Sequence, residues 1–169
     1  MTGEMLENPG GQGFESGSSW SRGQAWALYG FTLSYIHTGE ERYLDTAKQV
    51  AHYFIANVCD DWMPACDFRA PAEPVLKDDC AAGIAACGLL EIAKVVPQYE
   101  KKLYKNAAEK LLMAMEANHA DWSENTPAIF NHCTGAYHDG NPHIHMVYAD
   151  YYFIEAINKL TDENAMLFW

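Results

Sequence analysis

The sequence predicts an all-α fold, an α/α toroid assembled from helical hairpins, and three observations point there. Beyond residue 18 the apolar residues recur at three- and four-residue steps, and no stretch alternates with the period of a strand. Helices that are apolar nearly all round alternate with amphipathic ones, the order expected when inner helices are backed by outer helices. The segment Tyr43-Leu-Asp-Thr-Ala47 also finds a counterpart in Tyr104-Lys-Asn-Ala-Ala108, 61 residues further on, a weak repeat of one hairpin.

Residues 1–18, rich in Gly and Ser with Pro9, read as an irregular lead-in to a single partial domain spanning 1–169. Ser21 followed by Gln24 has the form of a capping box, so the first helix is predicted from Arg22, with Ser21 as N-cap, to about Thr38. Thr38 with Glu41 repeats that signal for the second helix. There Tyr43, Leu44, Ala47, Val50, Ala51, Phe54 and Ile55 share one face, and Lys48 and Gln49 lie outside it. Pro64, Pro71 and Pro74 mark a long connection over 58–78, closed by Asp78 or Asp79 as N-cap of the third helix.

That third helix, Cys80 to about Val95, carries Ala-Ala-Gly-Ile-Ala-Ala-Cys-Gly-Leu-Leu. Small and apolar all round, it is predicted to be buried on most sides and closely packed. Pro97 stops it. The fourth helix, about Tyr99 to Ala120, sets Leu103, Tyr104, Ala107, Ala108, Leu111, Leu112 and Met115 on one stripe, with Lys101, Lys102, Lys105 and Lys110 largely opposite. A polar loop over 121–145 leads into a fifth, apolar helix from about Met146 to Leu160.

With 169 residues, 49% of them hydrophobic, the chain is long enough to bury a core. Its 11 basic and 23 acidic residues give a formal charge of -12 with no Lys/Arg cluster, which argues against nucleic acid as a partner. An anion site in such a field has to be local. Five cysteines, an odd number, read as reduced thiols. No window resembles a signal peptide or a membrane span, because Gly83, Gly88 and Glu91 break the longest apolar run. The expectation is a cytoplasmic protein, or a periplasmic one if a leader precedes Met1.

The segment Ser19-Trp-Ser-Arg-Gly-Gln-Ala-Trp26 is hardest to explain by folding alone. A cation in the first helical turn is disfavoured by roughly 0.3–1 kcal/mol, whereas free N–H groups and the Arg22 fork together suit a carboxylate. Trp26, four residues on, shares the Arg22 face and offers a flat apolar wall, a pairing that suits an anionic sugar. Gly23 in that turn would let another group approach the backbone. The plainer alternative is that Arg22 pairs with a loop carboxylate and Trp26 is core.

Two further clusters deserve weighing. The loop His132-Cys-Thr-Gly-Ala-Tyr-His138-Asp-Gly-Asn-Pro-His143-Ile-His145 gathers four histidines and a cysteine. Only His143 and His145 are close, and no second ligand pair accompanies them, so no metal site is expected and the loop reads as substrate-lining or simply polar. Asp60, Asp61, Asp67, Asp78, Asp79, Asp139 and Asp150 could serve as acids or bases, yet most have cap or turn explanations and no two form an evident glycosidic pair. No nucleophile elbow, phosphate loop or dinucleotide fingerprint is present.

Five motifs, in order, resemble the carboxyl-terminal half of the unsaturated glucuronyl hydrolases, glycoside hydrolase family 88. They are Gly10-Gly-Gln-Gly13, Ser19 to Trp26, Asp67-Phe68 with Ala70-Pro71, Asp79 to Glu91, and Asp150-Tyr-Tyr-Phe-Ile-Glu-Ala156. The resemblance implies one half of an (α/α)6 barrel. It also implies removal of 4,5-unsaturated glucuronic acid from the non-reducing end of lyase-generated oligosaccharides, by hydration of the vinyl ether, with no cofactor or metal. By position it makes Gln12, Arg22, Trp26 and Tyr137 substrate-binding residues.

In the family the catalytic aspartates belong to the amino-terminal half, so this chain is expected to hold no catalytic residue and to be inactive alone. Gln24 also separates it from the rhamnogalacturonyl relatives, where Asn-Gly follows the Arg-Gly pair. The competing expectation is a non-catalytic half-toroid, a binding or oligomerisation module that pairs with itself or with a missing amino-terminal half, since an open half-barrel exposes apolar faces. Another α/α-toroid sugar enzyme, such as an epimerase, is a third.

Overall fold

The computed structural model describes residues 11–162 and residue 165. Residues 1–10, most of the expected lead-in and including Gly10 of the first motif, lie outside the described residues. Five helices follow one another: α1 (Ser21–Thr38), α2 (Glu41–Asn57), α3 (Asp79–Val95), α4 (Gln98–His119) and α5 (Val147–Thr161). Among the described residues extended backbone pairs only in isolated bridges, such as Trp20 with Asp67 and Cys133 with Ile144. The fold is all-α, as the periodicity predicts.

Helix α3 is the centre. It packs against α1, α4 and α5, while α2 backs α1. Every residue from Asp79 to Ile92 is buried, which explains why this helix has no polar face. Its two glycines mark the crossings. A β-carbon on Gly88 would lie 2.9 Å from Tyr29 Cα and against Leu28 of α1, and one on Gly83 would lie 3.3 Å from the Phe153 backbone nitrogen of α5. Backbone cannot yield as a flexible side chain can. Gly88→Ala is therefore expected to destabilise by about 1–3 kcal/mol despite the better helix propensity of alanine, read as a lower urea midpoint.

The repeat shows in space at one position only: Ala47 of α2 and Ala108 of α4 are both buried on outer helices, whereas Tyr104 is buried where Tyr43 is half-buried, and Lys105 is exposed where Leu44 is buried. The Leu103 expectation fails: Tyr104, Ala107, Ala108, Leu111, Leu112 and Met115 are buried, but Leu103 is 47% exposed. It lies one step off the stripe that faces α3, and α4 scarcely touches α5 on that side.

Both capping boxes fail, for a shared reason: the hydroxyls have other acceptors. Helix α1 starts at Ser21 with Trp20 as N-cap and no side-chain cap. The Ser21 hydroxyl donates to the Cys66 carbonyl at 3.1 Å, and the Ser21 N–H to the same oxygen at 2.9 Å. Thr38 belongs to the end of α1, where its hydroxyl donates to the Ser34 carbonyl at 2.6 Å and accepts the Glu40 N–H at 3.2 Å. Helix α1 closes on Gly39, in the left-handed region at φ 71°, whose N–H reaches the Tyr35 carbonyl at 2.8 Å. Asp78 does occupy the N-cap position of α3, but its side chain caps nothing there.

A second polar feature sits inside the bundle. Glu91, Glu155 and Lys159 are each under 5% exposed. Lys159 Nζ donates to Glu91 Oε1 at 2.7 Å and lies 3.2 Å from Glu155 Oε1. Lys94 reaches Glu91 Oε1 at 3.0 Å, and the Tyr29 hydroxyl donates to Glu155 Oε1. Along α5, Val147, Tyr148, Tyr151 and Ile154 form an exposed apolar stripe.

Candidate functional site

The irregular segments converge at the end of the bundle where α1 and α3 begin. The Phe68 N–H donates to the Ser19 carbonyl at 2.9 Å, which lays the 58–78 connection against the start of α1. The Asp79 N–H donates to the His132 carbonyl at 3.2 Å, which brings in the 121–146 loop. Asp67 fastens the lead-in: its carboxylate accepts from the Phe14 and Ser19 N–H groups, each at 3.0 Å, from the Ser18 hydroxyl at 2.5 Å and from the Arg69 N–H at 2.9 Å.

Arg22 is 3% exposed and lies at the centre of this end. Its Nε donates to Asp78 Oδ2 at 2.9 Å, and one terminal nitrogen donates to the Thr134 carbonyl and to that of Gly135, the latter at 3.3 Å. The guanidinium carbon stands 5.1 Å from the centroid of the Trp20 ring. Burial works against the guanidinium's charge, and the Asp78 carboxylate more than offsets it, so Arg22 is held above its ordinary value. Burial likewise pushes Asp78 up, to about 6, against the pull of Arg22.

Of the two readings of Arg22, the ion pair within the protein is the one present. Asp78 supplies the negative charge that the helix start and the arginine invite. Gly23 is explained similarly: a β-carbon there would lie 2.8 Å from the Trp20 ring, so the group approaching the helix is the chain's own indole.

Gln12 and Tyr137 come together: the Tyr137 N–H donates to the Gln12 carbonyl at 2.9 Å. Tyr137, half-buried, meets the Phe14 ring edge-on at 5.1 Å, and His138 Nε2 lies 2.7 Å from the Phe14 carbonyl. Since Gly135 lies two residues before Tyr137, Arg22 anchors the same loop from beneath. Trp26 stands apart from this group and is 36% exposed, so it is no core residue. Its ring lies edge-on to Tyr152 at 5.3 Å and to Tyr148 at 6.4 Å, an aromatic cluster joining α1 to α5.

The loop histidines disperse. His132 stacks on His119 of α4 at 4.1 Å with an interplanar angle of 24°, and His143 lies 5.0 Å from His132. His145 Nδ1 faces the Phe130 carbonyl at 3.3 Å. Ligand atoms of Asp79, His119 and His132 come within 4.8 Å of one another. An imidazole ligates in its own plane, however, so two nearly parallel stacked rings do not aim at one ion. The group works as a clamp: Asp79 accepts from the His132 N–H at 3.1 Å and lies 2.5 Å from His119 Nδ1.

The other acid candidates also hold loops. Asp150 accepts the Ile129 and Phe130 N–H groups at 3.2 and 3.1 Å, Asp139 the Ala136 N–H at 3.0 Å, and Asp61 pairs with Lys77 at 2.8 Å. Sequence reasoning missed Asp78 as the partner of Arg22, and the doubled acid at 78–79 was the available signal, since one cap needs one carboxylate. It also missed Tyr148 and Tyr152 beside Trp26; nothing in the sequence relates α1 to α5.

Five helices stacked as inner and outer layers, with irregular loops gathered at one end, define an α/α-toroid architecture. No family model matches the chain. It is 36% identical over 155 residues to the unsaturated glucuronyl hydrolase of Bacillus sp. (strain GL1), covering 88% of this chain and 41% of that protein. It is 30% identical over 166 residues to the unsaturated chondroitin disaccharide hydrolase of Streptococcus pyogenes serotype M1, covering 92% and 40%.

Among solved structures, the Bacillus sp. GL1 unsaturated glucuronyl hydrolase, described as responsible for the degradation of glycosaminoglycan, superposes with a TM-score of 0.86 at 34% identity over 90% of this chain and 42% of its own. An unsaturated glucuronyl hydrolase specific for heparin gives 0.88 at 28% identity, over 98% and 46%. The chain is homologous to the unsaturated glucuronyl hydrolases, and it spans about two-fifths of the length of these relatives.

Proposed function

We propose that the chain forms the sugar-recognising part of a glycoside hydrolase that removes 4,5-unsaturated glucuronic acid from the non-reducing end of oligosaccharides left by polysaccharide lyases. The observation that carries this is the loop end itself, where Gln12 and Tyr137 are joined and anchored on Arg22, in a chain whose relatives are unsaturated glucuronyl hydrolases. Gln12 and Tyr137 form one wall, which Arg22 fixes through Gly135, and the partly exposed Trp26, apart from them beside Tyr148 and Tyr152, offers a second apolar surface. Asp61, Asp67, Asp78, Asp79, Asp139 and Asp150 are each engaged in a structural bond, which supports placing the protonating acid in the remaining part of the toroid.

The chain then acts as one partial domain that pairs with that remainder. The exposed stripe Val147, Tyr148, Tyr151 and Ile154 favours such pairing, with itself or with the missing half. Among the described residues no helix is long and apolar enough to cross a membrane. The five free cysteines support a cytoplasmic setting.

The test uses the purified chain and an unsaturated glucuronyl disaccharide. Saturable binding, weakened about tenfold or more by Trp26→Ala, is expected without loss of the ultraviolet absorbance of the conjugated double bond. Consumption of that absorbance by the chain alone, or binding indifferent to Trp26, overturns the reading.

A further inference from the structure

At the other end of the bundle the fold assembles a cluster that the sequence does not show. Four of the chain's eight lysines, Lys94, Lys101, Lys105 and Lys159, line one cavity of about 280 Å³ between the last turns of α3 and α5 and the first turns of α4. Leu90 and Leu160 add an apolar floor. At 1.5 Å per residue Lys94 lies roughly 22 Å along α3 from Asp79, so this is not the loop end described above.

The charges do not cancel there. Glu91 is shared between Lys94 and Lys159, and Glu155 faces Lys159. Lys101 and Lys105 pair with no carboxylate among the described residues. Their neighbour Glu100 is taken by Lys48 of α2 at 2.6 Å. In a chain with 23 acidic side chains, leaving two cations unpaired and facing one cavity is a local reversal of the overall field. Lys101 also stands in the first turn of α4, where a cation is disfavoured unless an anion joins it.

We propose that this cavity binds a small organic molecule carrying a phosphate or sulfate ester. Lysine ammonium groups act as mobile point charges that suit a tetrahedral oxyanion, and the leucine floor takes the organic body that a bare oxyanion would not need. The site stands independently of the proposed hydrolase function.

The experiment titrates the full chain by calorimetry with inorganic phosphate, inorganic sulfate, glucose 6-phosphate and glucosamine 6-sulfate, at an ionic strength of about 150 mM so that diffuse surface attraction is screened. Saturable one-to-one binding of an ester, tighter than that of its inorganic ion, is expected, and the tighter ester identifies the natural source. Lys101→Gln with Lys105→Gln should weaken it at least about tenfold, while Lys102→Gln, exposed on the same helix and outside the cavity, leaves it unchanged. Circular dichroism checks that both variants fold. Absence of saturable binding, equal binding by the double variant, or esters binding no tighter than the bare ions overturns the proposal.

Discussion

Replacing Asp78 with alanine lowers the unfolding free energy by about 3–5 kcal/mol at neutral pH, the range found when one partner of a buried ion pair is removed. Arg22 is then left 3% exposed with the Thr134 and Gly135 carbonyls and the Trp20 ring but without its carboxylate. Urea unfolding measures the loss, and the paired replacement Arg22→Met with Asp78→Leu should recover most of it, because no buried charge is stranded. The pH dependence has a definite sign. Asp78 is raised to about 6 in the folded chain, above the roughly 3.9 of an unfolded aspartate, so its contribution favours folding when protonated. That contribution is complete below about pH 4 and is lost as the pH rises through about 6. Asp78→Asn should abolish this part of the stability profile, and an unchanged slope would show that Asp78 does not titrate there.

Lys159→Met is expected to cost a similar 3–5 kcal/mol, and the loss should appear in the thermal midpoint as well as in urea. Lys159 is the cation that lies between two carboxylates which are themselves buried, Glu91 and Glu155. Methionine fills the volume of the stem yet leaves Glu91 with Lys94 as its one cation and Glu155 with none, held by hydroxyls such as that of Tyr29. Adding Glu155→Gln to Lys159→Met should restore part of the stability, since one stranded charge disappears. A double variant no more stable than the single would place the cost in packing instead.

The helices were legible because burial imposes a period: α3 shows it as an unbroken run of small and apolar residues, and α2 as a clean stripe. Hairpin order and the toroid followed from that alternation. What the sequence hid were the partners of polar groups. A serine three residues before a glutamine looks the same whether its hydroxyl caps its own helix or, as here, crosses to the Cys66 carbonyl. Arg22 looked like a vacancy awaiting an anion because Asp78 is distant in sequence and has a sufficient local explanation as a cap. The lysine cavity was hidden for the same reason: Lys94 and Lys159 meet Lys101 and Lys105 only once three helices are stacked.

The bonds of Arg22 also order events as the chain is made. Its ion-pair partner lies 56 residues downstream and its Thr134 carbonyl 112 residues downstream. The residues of the first hairpin, α1 and α2, are all made long before the last partner of this one guanidinium exists. Contacts of such wide separation are the slow ones to form. The loop end is therefore completed only after residue 134 has been made, and an ordered Tyr137 loop certifies that α1, α3 and the segment beyond α4 have all found their places.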